Sequence, residues 1–128
     1  MPDQLSTPTH PGEVFCFYPI EIPINNAEDA YLFIAVDAVS AFLFQTGMER
    51  ANDMQAVLRN IQLLMEQDLF KQSKAASFTL VLHKCQPYRA QIEAIVSPHG
   101  GCVVFDDTYV AAIVTPPMRF LFEQMAKG

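Results

Sequence analysis

The segment YLFIAVDAVSAFLF, which runs from Tyr31 to Phe44, constrains the fold more than any other part of the chain. Aromatic and β-branched residues favour strands, and the very short link between YLFIAVD and SAFLFQT predicts an antiparallel hairpin. Neither predicted strand alternates between apolar and polar residues. A strand that is apolar on both faces needs cover on both faces, usually from helices. The segment therefore predicts a sheet that lies between helices.

Two polar residues, Asp37 and Ser40, interrupt this segment. In one interpretation, Asp37 is a catalytic or metal-binding carboxylate on a strand. In the other, both residues belong to the turn, because an Asp side chain can accept a hydrogen bond from a backbone N–H two residues later and a Ser hydroxyl can close the turn. The turn preferences of these residue types favour the second interpretation. Metal binding by Asp37 is the alternative.

The other elements in the first half of the chain follow from periodicity and turn signals. A strand is predicted over EVFCFYPIEIPI, with edge or bulged character towards Pro19 and Pro23, and INNAED supplies the turn after it. A capping-box-like start at Asn52 and Gln55 predicts a helix that ends near Phe70. Its apolar stripe is better explained by core packing than by a partner-binding face, and comprises Met54, Val57, Leu58, Ile61, Leu64 and Met65.

The second half of the chain adds two strands and two helices. SFTLVLHK is predicted as a strand, PYRAQIEAIVSPHGG as a helix that Pro98 and the glycine pair stop, and CVVF as a strand. A last helix is predicted after Pro117, and DDTYVAAIVT has no clear assignment. A strand, helix, strand order favours a parallel return across the sheet. The expected order is a three-strand meander, a helix, a strand, a helix, a strand and a closing helix.

Length and composition indicate one globular domain. The chain has 128 residues, of which 51% are hydrophobic, so it can bury a core. Residues 1–12 contain three prolines and are predicted as an extended arm, which leaves 13–128 as the domain. The N-terminus has no basic-then-apolar signal pattern and the apolar runs are shorter than about 18 residues, so we expect a cytoplasmic protein without a membrane span. Cys16, Cys85 and Cys102 are expected to be reduced thiols.

The charge balance disfavours nucleic acid as a partner. The formal net charge is −6 and the pI is about 4.8. Protein affinity for nucleic acid comes largely from Lys and Arg side chains that neutralise phosphates, and the eight such residues of this chain are scattered. A local basic patch around Lys84 and Arg89 is the arrangement that could override the net charge.

Two further constellations compete with structural explanations. A zinc site could be formed by four residues, namely His83, Cys85, His99 and Cys102. The first pair has one intervening residue, which is tighter than the usual two to four, so small buried side chains near strand ends are the simpler explanation. Cys85 could instead be a nucleophile with His83 or His99 as its base, but the sequence offers no third group to orient that base.

Three segments, GEVFCFYPIEIPI, YLFIAVDAVSAFLF and TLVLHKCQPY, carry a resemblance to a known family. They resemble the opening strand, the hairpin with its Asp and Ser, and the fourth strand with its following turn in the catalytic core of DDE-type integrases and transposases. The resemblance covers roughly residues 13–125. It implies the ribonuclease H-like fold, an α/β (α+β) architecture with a mixed five-stranded sheet and helices on both faces. The first and fourth strands pair in parallel in that fold, so Tyr18 and the end of the fourth strand at His83 and Lys84 should be neighbours.

The resemblance also implies which positions would carry catalysis. The first catalytic Asp of the family aligns with Tyr18, and the second aligns with His83, which Lys84 and Cys85 follow. The third carboxylate lies on the last helix, where Glu123 is the candidate. Two-metal phosphoryl transfer needs ionised oxygen ligands, whereas a tyrosine is a neutral phenol at pH 7 and a histidine offers nitrogen. The Asp of the hairpin is common in the family but is not one of its three catalytic carboxylates.

The sequence therefore predicts a non-catalytic, integrase-core-like module with a structural or interaction role and no cofactor. One alternative is a metal-dependent nuclease or transposase whose ligands are rebuilt, with candidates Asp37, Asp106, Asp107 and Glu123. Another is a binder of a small ligand in a cleft beside Tyr18 and His83. The expected partner is a protein of unknown identity, and the resemblance together with the apolar content makes a homodimer a further expectation. A membrane is not expected as a partner.

Overall fold

The structure of the protein, a computed structural model, describes residues 7–22 and 30–127. Its strands are β1 Val14–Ile22, β2 Ala30–Asp37, β3 Leu43–Glu49, β4 Phe78–Leu82 and β5 Gly101–Phe105. Its helices are α1 Met54–Glu66, α2 Asp68–Ser73, α3 Arg89–Val96 and α4 Asp107–Lys127. The predicted turn at INNAED and residues 1–6 of the predicted arm lie outside the described residues.

The described strands form a mixed five-stranded sheet, as predicted, and their order is β3-β2-β1-β4-β5. The first three strands are an antiparallel meander, and β4 and β5 are parallel to β1. The pairing of β1 with β4 runs from Val14 opposite Thr79 to Cys16 opposite Val81, where it ends. The remainder of β1 therefore has edge character on that side at Pro19, which suits a residue without a backbone N–H.

Both faces of the central strands are buried, which confirms that helices cover the sheet on both sides. In β2, Tyr31 is half-buried and every other residue is buried. On one face, α1, α2 and α3 pack on the sheet, and this core includes Phe15, Phe33, Leu80, Ile61, Phe70 and Ile92. On the other face, α4 packs on the sheet, and this core includes Cys16, Ile20, Ile34, Val110 and Val114. Alternate residues of a strand point to opposite faces, so one apolar strand contributes to both cores.

The edge strand β3 departs from the prediction that both hairpin strands are covered on both faces. Phe44 is buried, whereas Gln45 and Met48 are exposed. The strand begins at Leu43 rather than at Ser40, because residues 38–42 form the connection between β2 and β3. Apolar residues that belong to this connection, such as Phe42, explain why the sequence looked like a longer buried strand.

A buried polar cluster joins α1 to β3. The side chain of Asn60 is fully buried. Its Oδ1 accepts a hydrogen bond from Thr46 Oγ1 at 2.8 Å, and its Nδ2 donates to Glu49 Oε2 at 2.9 Å and to the backbone oxygen of Ala56 at 2.8 Å. Arg59 donates two further hydrogen bonds to the Glu49 carboxylate, at 3.1 and 2.9 Å. These directional bonds fix the position of α1 along the edge of the sheet.

The first helix begins and ends at different residues from those predicted. Its N-cap is Asp53 rather than Asn52, because Asp53 Oδ1 accepts the N–H of Ala56 at 2.9 Å. Gln55 is therefore one residue too early to complete a capping box. At Gln67 the backbone is extended, with φ −69° and ψ 131°, so α1 ends there and α2 is a separate helix that contains Phe70.

The last helix begins at Asp107, so the prediction that it follows Pro117 is wrong and DDTYVAAIVT belongs largely to α4. Asp106 caps the helix, because its Oδ1 accepts the N–H of Tyr109 at 2.9 Å. Pro116 and Pro117 lie inside the helix, where each removes one backbone donor. Pro116 and Ala112, whose carbonyl loses its donor, are both exposed, so water can replace that bond. Although α4 has 21 residues, none of the described helices combines the length and apolarity that a membrane crossing requires.

Replacing Asn60 with Ala should lower the free energy of unfolding by about 2–3 kcal/mol, because Thr46 and Glu49 each lose one hydrogen bond to a fully buried side chain. Urea denaturation followed by circular dichroism measures the loss. Gln62→Ala is the matched control, since Gln62 lies on the exposed side of the same helix and bonds to Glu66. Its expected loss is below about 0.5 kcal/mol. Equal losses in the two variants would contradict the role of Asn60 in joining α1 to β3.

Candidate functional site

A cleft of about 210 Å³ opens at the carboxyl end of β4. Its apolar wall comprises Phe17, Pro19, Met54, Val57 and Leu82. Its polar lining comes from the turn after β4 and from the start of α1, and comprises His83, Lys84, Cys85, Asn52 and Asp53. Ligands of open α/β sheets bind outside the carboxyl ends of the strands, so this cleft is the candidate site.

Tyr18 lies on the α4 face of the sheet, opposite the cleft, and contacts His83 of the cleft lining. Their ring centroids are 5.6 Å apart and the rings are inclined by 70°, an edge-to-face arrangement. The contact follows from the strand register, because Cys16 pairs with Val81 and each of the two side chains lies two residues further along its strand or turn. The predicted proximity of Tyr18 to the end of β4 is therefore confirmed.

Asp107 reaches His83 from the first turn of α4. Its Oδ2 lies 4.0 Å from His83 Nε2, which makes an ion pair when the imidazole is protonated. Its Oδ1 accepts the backbone N–H of Lys84 at 3.1 Å. Lys84 has φ +56°, a left-handed conformation that is costly for a residue with a Cβ. The hydrogen bond to Asp107 helps to hold this turn beside the start of α4.

The surroundings of Cys85 disfavour the hypothesis that it is a nucleophile. Burial, and then the nearby carboxylate of Asp107, raise the pKa of the Cys85 thiol. The thiol therefore stays protonated at a pH where an unperturbed cysteine has begun to ionise. Its Sγ donates to the backbone oxygen of His83 at 3.3 Å rather than to the imidazole. His99, the other base considered, lies before β5 at the opposite end of the sheet.

The four residues of the zinc hypothesis do not meet. His83 and Cys85 follow the carboxyl end of β4, whereas Cys102 pairs with Thr79 near the amino end of that strand and His99 precedes β5. A strand rises about 3.3 Å per residue, so the two pairs are separated by about 13 Å. Within residues 7–22 and 30–127, no group of three or more His, Cys, Asp or Glu side chains is placed to hold a metal ion.

The four acidic residues considered as rebuilt metal ligands lie in three separate parts of the fold. Asp107 lies beside His83, and Asp106 caps α4. Asp37 pairs with Phe15 at the opposite end of β1 from the cleft. Glu123 lies further along α4, on the order of 24 Å from Asp107 at about 1.5 Å per residue. Asp107, rather than Glu123, is therefore the α4 carboxylate that lies beside His83.

Asp37 and Ser40 organise the connection between β2 and β3. Asp37 Oδ1 accepts the backbone N–H groups of Val39 and Ser40, at 2.8 and 3.1 Å. Ser40 Oγ accepts the N–H of Phe42 at 3.2 Å. This is the turn geometry that the residue types predicted. Asp37 Oδ2 accepts the N–H of Gly12 at 2.7 Å, so the same carboxylate also ties the residues before β1 to the hairpin.

The position of Gly12 explains how this part of the predicted arm packs against the domain. Gly12 is buried and has φ +92°, a conformation that glycine adopts readily. A Cβ at this position would collide with the backbone oxygen of Ser73. Gly12 also accepts a hydrogen bond from Ala75 N at 2.8 Å through its backbone oxygen. Together with the bond to Asp37, these contacts place residue 12 between the hairpin and the segment after α2.

Lys84 and Arg89 do not combine into a basic patch. The guanidinium of Arg89 lies over the ring of Phe105, 4.7 Å from its centroid. Its Nη1 donates to the backbone oxygen of Val103 at 3.2 Å and lies 3.4 Å from the carboxylate of Glu93. These contacts hold Arg89 along the outer edge of β5, where a side chain that covers backbone groups also discourages pairing with another strand.

The start of α1 lines the cleft because of the direction of the strands. In the antiparallel meander β3 runs in the same direction as β1, and β4 is parallel to β1. The end of β3 and the end of β4 therefore lie at the same edge of the sheet, and α1 begins where β3 ends. The predicted element order was therefore sufficient to place Asn52, Asp53 and Met54 at this edge of the sheet. The cap formed by Asp53 fixes the first turn of the helix at the rim.

Comparison of the chain with protein-family models and with curated proteins finds no match. What the cleft can do is therefore argued from its own groups. It offers the imidazole of His83, the carboxylate of Asp53, a thiol whose pKa is raised by burial, and an apolar wall. These groups can bind a small polar molecule or part of a protein. The cleft is not similar to a two-metal site, because sites that hold two hard divalent cations are built mainly from carboxylates.

Replacing Asp37 with Ala should lower the free energy of unfolding by about 2–3 kcal/mol, because three backbone N–H groups lose their acceptor at a buried position. Urea denaturation provides the measurement. Ser40→Ala is the control, since it removes one hydrogen bond at an exposed position of the same turn and should cost less than about 1 kcal/mol. Similar losses in both variants would show that Asp37 does no more than close the turn.

Proposed function

We propose that the chain is a ribonuclease H-like domain of the integrase-core type that does not catalyse phosphoryl transfer and acts as an interaction module. The observation that carries the proposal is the contact between Tyr18 and His83, whose ring centroids are 5.6 Å apart. The resemblance in sequence implies a catalytic carboxylate at each of these two positions. A phenol packed against an imidazole occupies them instead.

The arrangement of the sheet supports the fold in this proposal. The resemblance implies that the first and fourth strands pair in parallel and that helices cover both faces of a mixed five-stranded sheet. Strand order, the parallel pairing of β1 with β4 and the two cores agree with those features. The agreement extends to position, since Tyr18 and His83 come together at the carboxyl end of β4.

The chemistry of the side chains supports the absence of phosphoryl transfer. Two-metal catalysis holds divalent cations about 3.5–4 Å apart with anionic oxygen ligands. Asp107 supplies a carboxylate beside His83, but Tyr18 is partly buried against the core beneath α4 and His83 offers nitrogen. The net charge of −6 adds an independent argument, because an acidic chain gains little from contacts with phosphates.

The combined substitution Tyr18→Asp and His83→Asp should create a site for Mn²⁺, because it would place two new carboxylates close to Asp107. Thermal unfolding with and without Mn²⁺ measures binding, since a ligand at 100 times its dissociation constant stabilises the folded state by about 2.7 kcal/mol. Tyr18→Asn with His83→Asn is the matched control of similar size without the charge. We expect the melting temperature to rise with Mn²⁺ in the Asp variant alone, and not in the control or the wild type.

Two results would contradict the proposal. An Asp variant that is folded by circular dichroism but gains no affinity for Mn²⁺ would show that Tyr18 and His83 do not occupy former metal-binding positions. Cleavage or joining of DNA by the wild-type protein with Mg²⁺ or Mn²⁺, lost on Asp107→Asn, would establish the alternative of an enzyme with rebuilt ligands. The proposal expects neither cleavage nor joining, and weak binding of duplex DNA at physiological salt.

A second candidate function is the binding of a small ligand, and the cleft favours it. The volume of about 210 Å³ is below the roughly 300 Å³ at which sites for drug-sized ligands begin, so only a small molecule would fit. His83, Lys84 and Asp53 line the cleft and could bind its polar groups beside the apolar wall. A screen of small fragments by NMR would separate the candidates: shifts confined to the cleft support a ligand site, whereas shifts spread over other surfaces count against it.

A further inference from the structure

The cleft at the carboxyl end of β4 combines an apolar wall with an unpaired positive charge. The wall continues the core beneath α1, because Phe17, Val57 and Leu82 belong to both. Lys84 lines the same cleft, and its ammonium forms no ion pair or hydrogen bond with the residues that the structure describes. Sites for small molecules have mostly apolar walls and a few placed polar groups. The cleft has both components.

The turn after β4 fixes where the Lys84 side chain begins. Its backbone N–H donates to Asp107 Oδ1 at 3.1 Å, which ties the turn to the first turn of α4. The side chain is exposed and also lines the cleft. The methylene groups of a lysine can pack along an apolar surface while the ammonium stays in water. The positive charge of Lys84 is therefore available where the apolar wall meets solvent.

The carboxylate of Asp53, which also lines the cleft, is already engaged. Its Oδ1 accepts the N–H of Ala56 at 2.9 Å. The pKa of the Arg59 guanidinium is raised first by its hydrogen bond to Glu49 and further by the negative charge of Asp53. Asp53 therefore interacts with the helix that it caps and with a cation on that helix. This leaves the charge of Lys84 available to a ligand.

The remaining ionisable groups of the lining do not repel an anion. Burial, and then the carboxylate of Asp107, raise the pKa of the Cys85 thiol, so the thiol stays neutral where an exposed cysteine would begin to ionise. His83 is an imidazole, which is neutral or positive but never negative. The cleft thus offers apolar contacts and one free cation to a molecule that carries a negative charge.

We propose that the cleft binds a short apolar monocarboxylate, with the carboxylate on Lys84 Nζ and the apolar group against Phe17, Val57 and Leu82. This ligand class rests on the second candidate function, the binding of a small molecule in the cleft. A neutral ligand that covered Lys84 would take an ammonium out of water without a partner, which is costly. A phosphate carries a charge of about −1.5 to −2 and three acceptor oxygens, more than one lysine satisfies.

The size of the cleft sets the expected affinity. Its volume of about 210 Å³ limits the apolar group to a few carbon atoms. A ligand with so few atoms binds weakly even when each atom is well used, so we expect a dissociation constant of about 0.1–1 mM. The net charge of −6 also opposes long-range attraction of anions, so the selectivity must come from contact with Lys84.

Titration of isotope-labelled protein with isovalerate, followed by NMR, tests the proposal. Chemical-shift changes should be confined to the cleft and should saturate in the expected range. Isovaleramide has the same shape without the charge and should bind at least about fivefold more weakly, because it forms no ion pair with Lys84. Acetate has the charge without the branched group and should bind at least about tenfold more weakly. Isoamylamine, which brings a like charge to Lys84, should not bind in the same range.

Matched substitutions of lysine test the role of the ammonium. Lys84→Met keeps a flexible apolar stem and removes the charge. It should weaken isovalerate at least about fivefold and leave isovaleramide within about twofold, a difference that a loss of structure would not produce. Lys71→Met is the control, because it makes the same change of net charge at an exposed position of α2 outside the cleft lining. It should leave both dissociation constants within about twofold, since distant surface charges are screened.

Four results would overturn the proposal, and they separate it from the function on which it rests. Isovaleramide that binds as tightly as isovalerate would show that charge does not select the ligand. Unchanged affinity for isovalerate in Lys84→Met would place the carboxylate elsewhere. Binding of fragments without a carboxylate, but not of isovalerate, would leave the small-ligand function standing and refute the ligand class alone. A cleft that binds neither fragments nor isovalerate would contradict both.

Discussion

Burial of the central strands on both faces is the constraint on which the rest of the structure depends. β1 and β2 carry large apolar side chains in alternation, so Phe15 and Phe33 face one side of the sheet while Ile20 and Ile34 face the other. Each such side chain contributes about 1.5–3 kcal/mol when it is removed from water. The chain must therefore return to the sheet on both sides. The helices α1 to α3 cover one face and α4 covers the other.

The same constraint determines where chemistry is available. Helices cover both faces of the central strands. Polar groups of these strands can therefore be held in place and still reach solvent where the strands end. At the carboxyl end of β4 the parallel register brings Tyr18 against His83, and the start of α4 adds Asp107. The left-handed backbone at Lys84 lies in the turn that joins these elements. Strand direction, rather than any local motif, thus brings these groups together at one edge of the sheet.

Local signals predicted the parts of the structure that depend on neighbours in the sequence. The turn at Asp37 is of this kind, because a short side chain bonds to the backbone two and three residues later. The first residue of α1 was harder to predict from the sequence. Asn52 and Asp53 are both good N-caps, and the choice between them depends on how the helix meets β3. For the last helix, the paired prolines predicted a start after Pro117, but tertiary packing overrides that signal and the helix begins at Asp107. The late predicted start made Glu123 the candidate carboxylate. A helix that begins directly after β5 instead brings Asp107 to His83.

We propose that a contact between Tyr18 and His83 stands where an integrase core holds metal ions. Crystals grown with Mn²⁺, with diffraction data collected near the manganese absorption edge, test it most directly. The account predicts that the two rings remain in contact, with centroids close to 5.6 Å apart, and that no anomalous peak lies beside them. An Mn²⁺ ion bound to Asp107 and His83 at about 2.2 Å, with the tyrosine ring displaced, would contradict it.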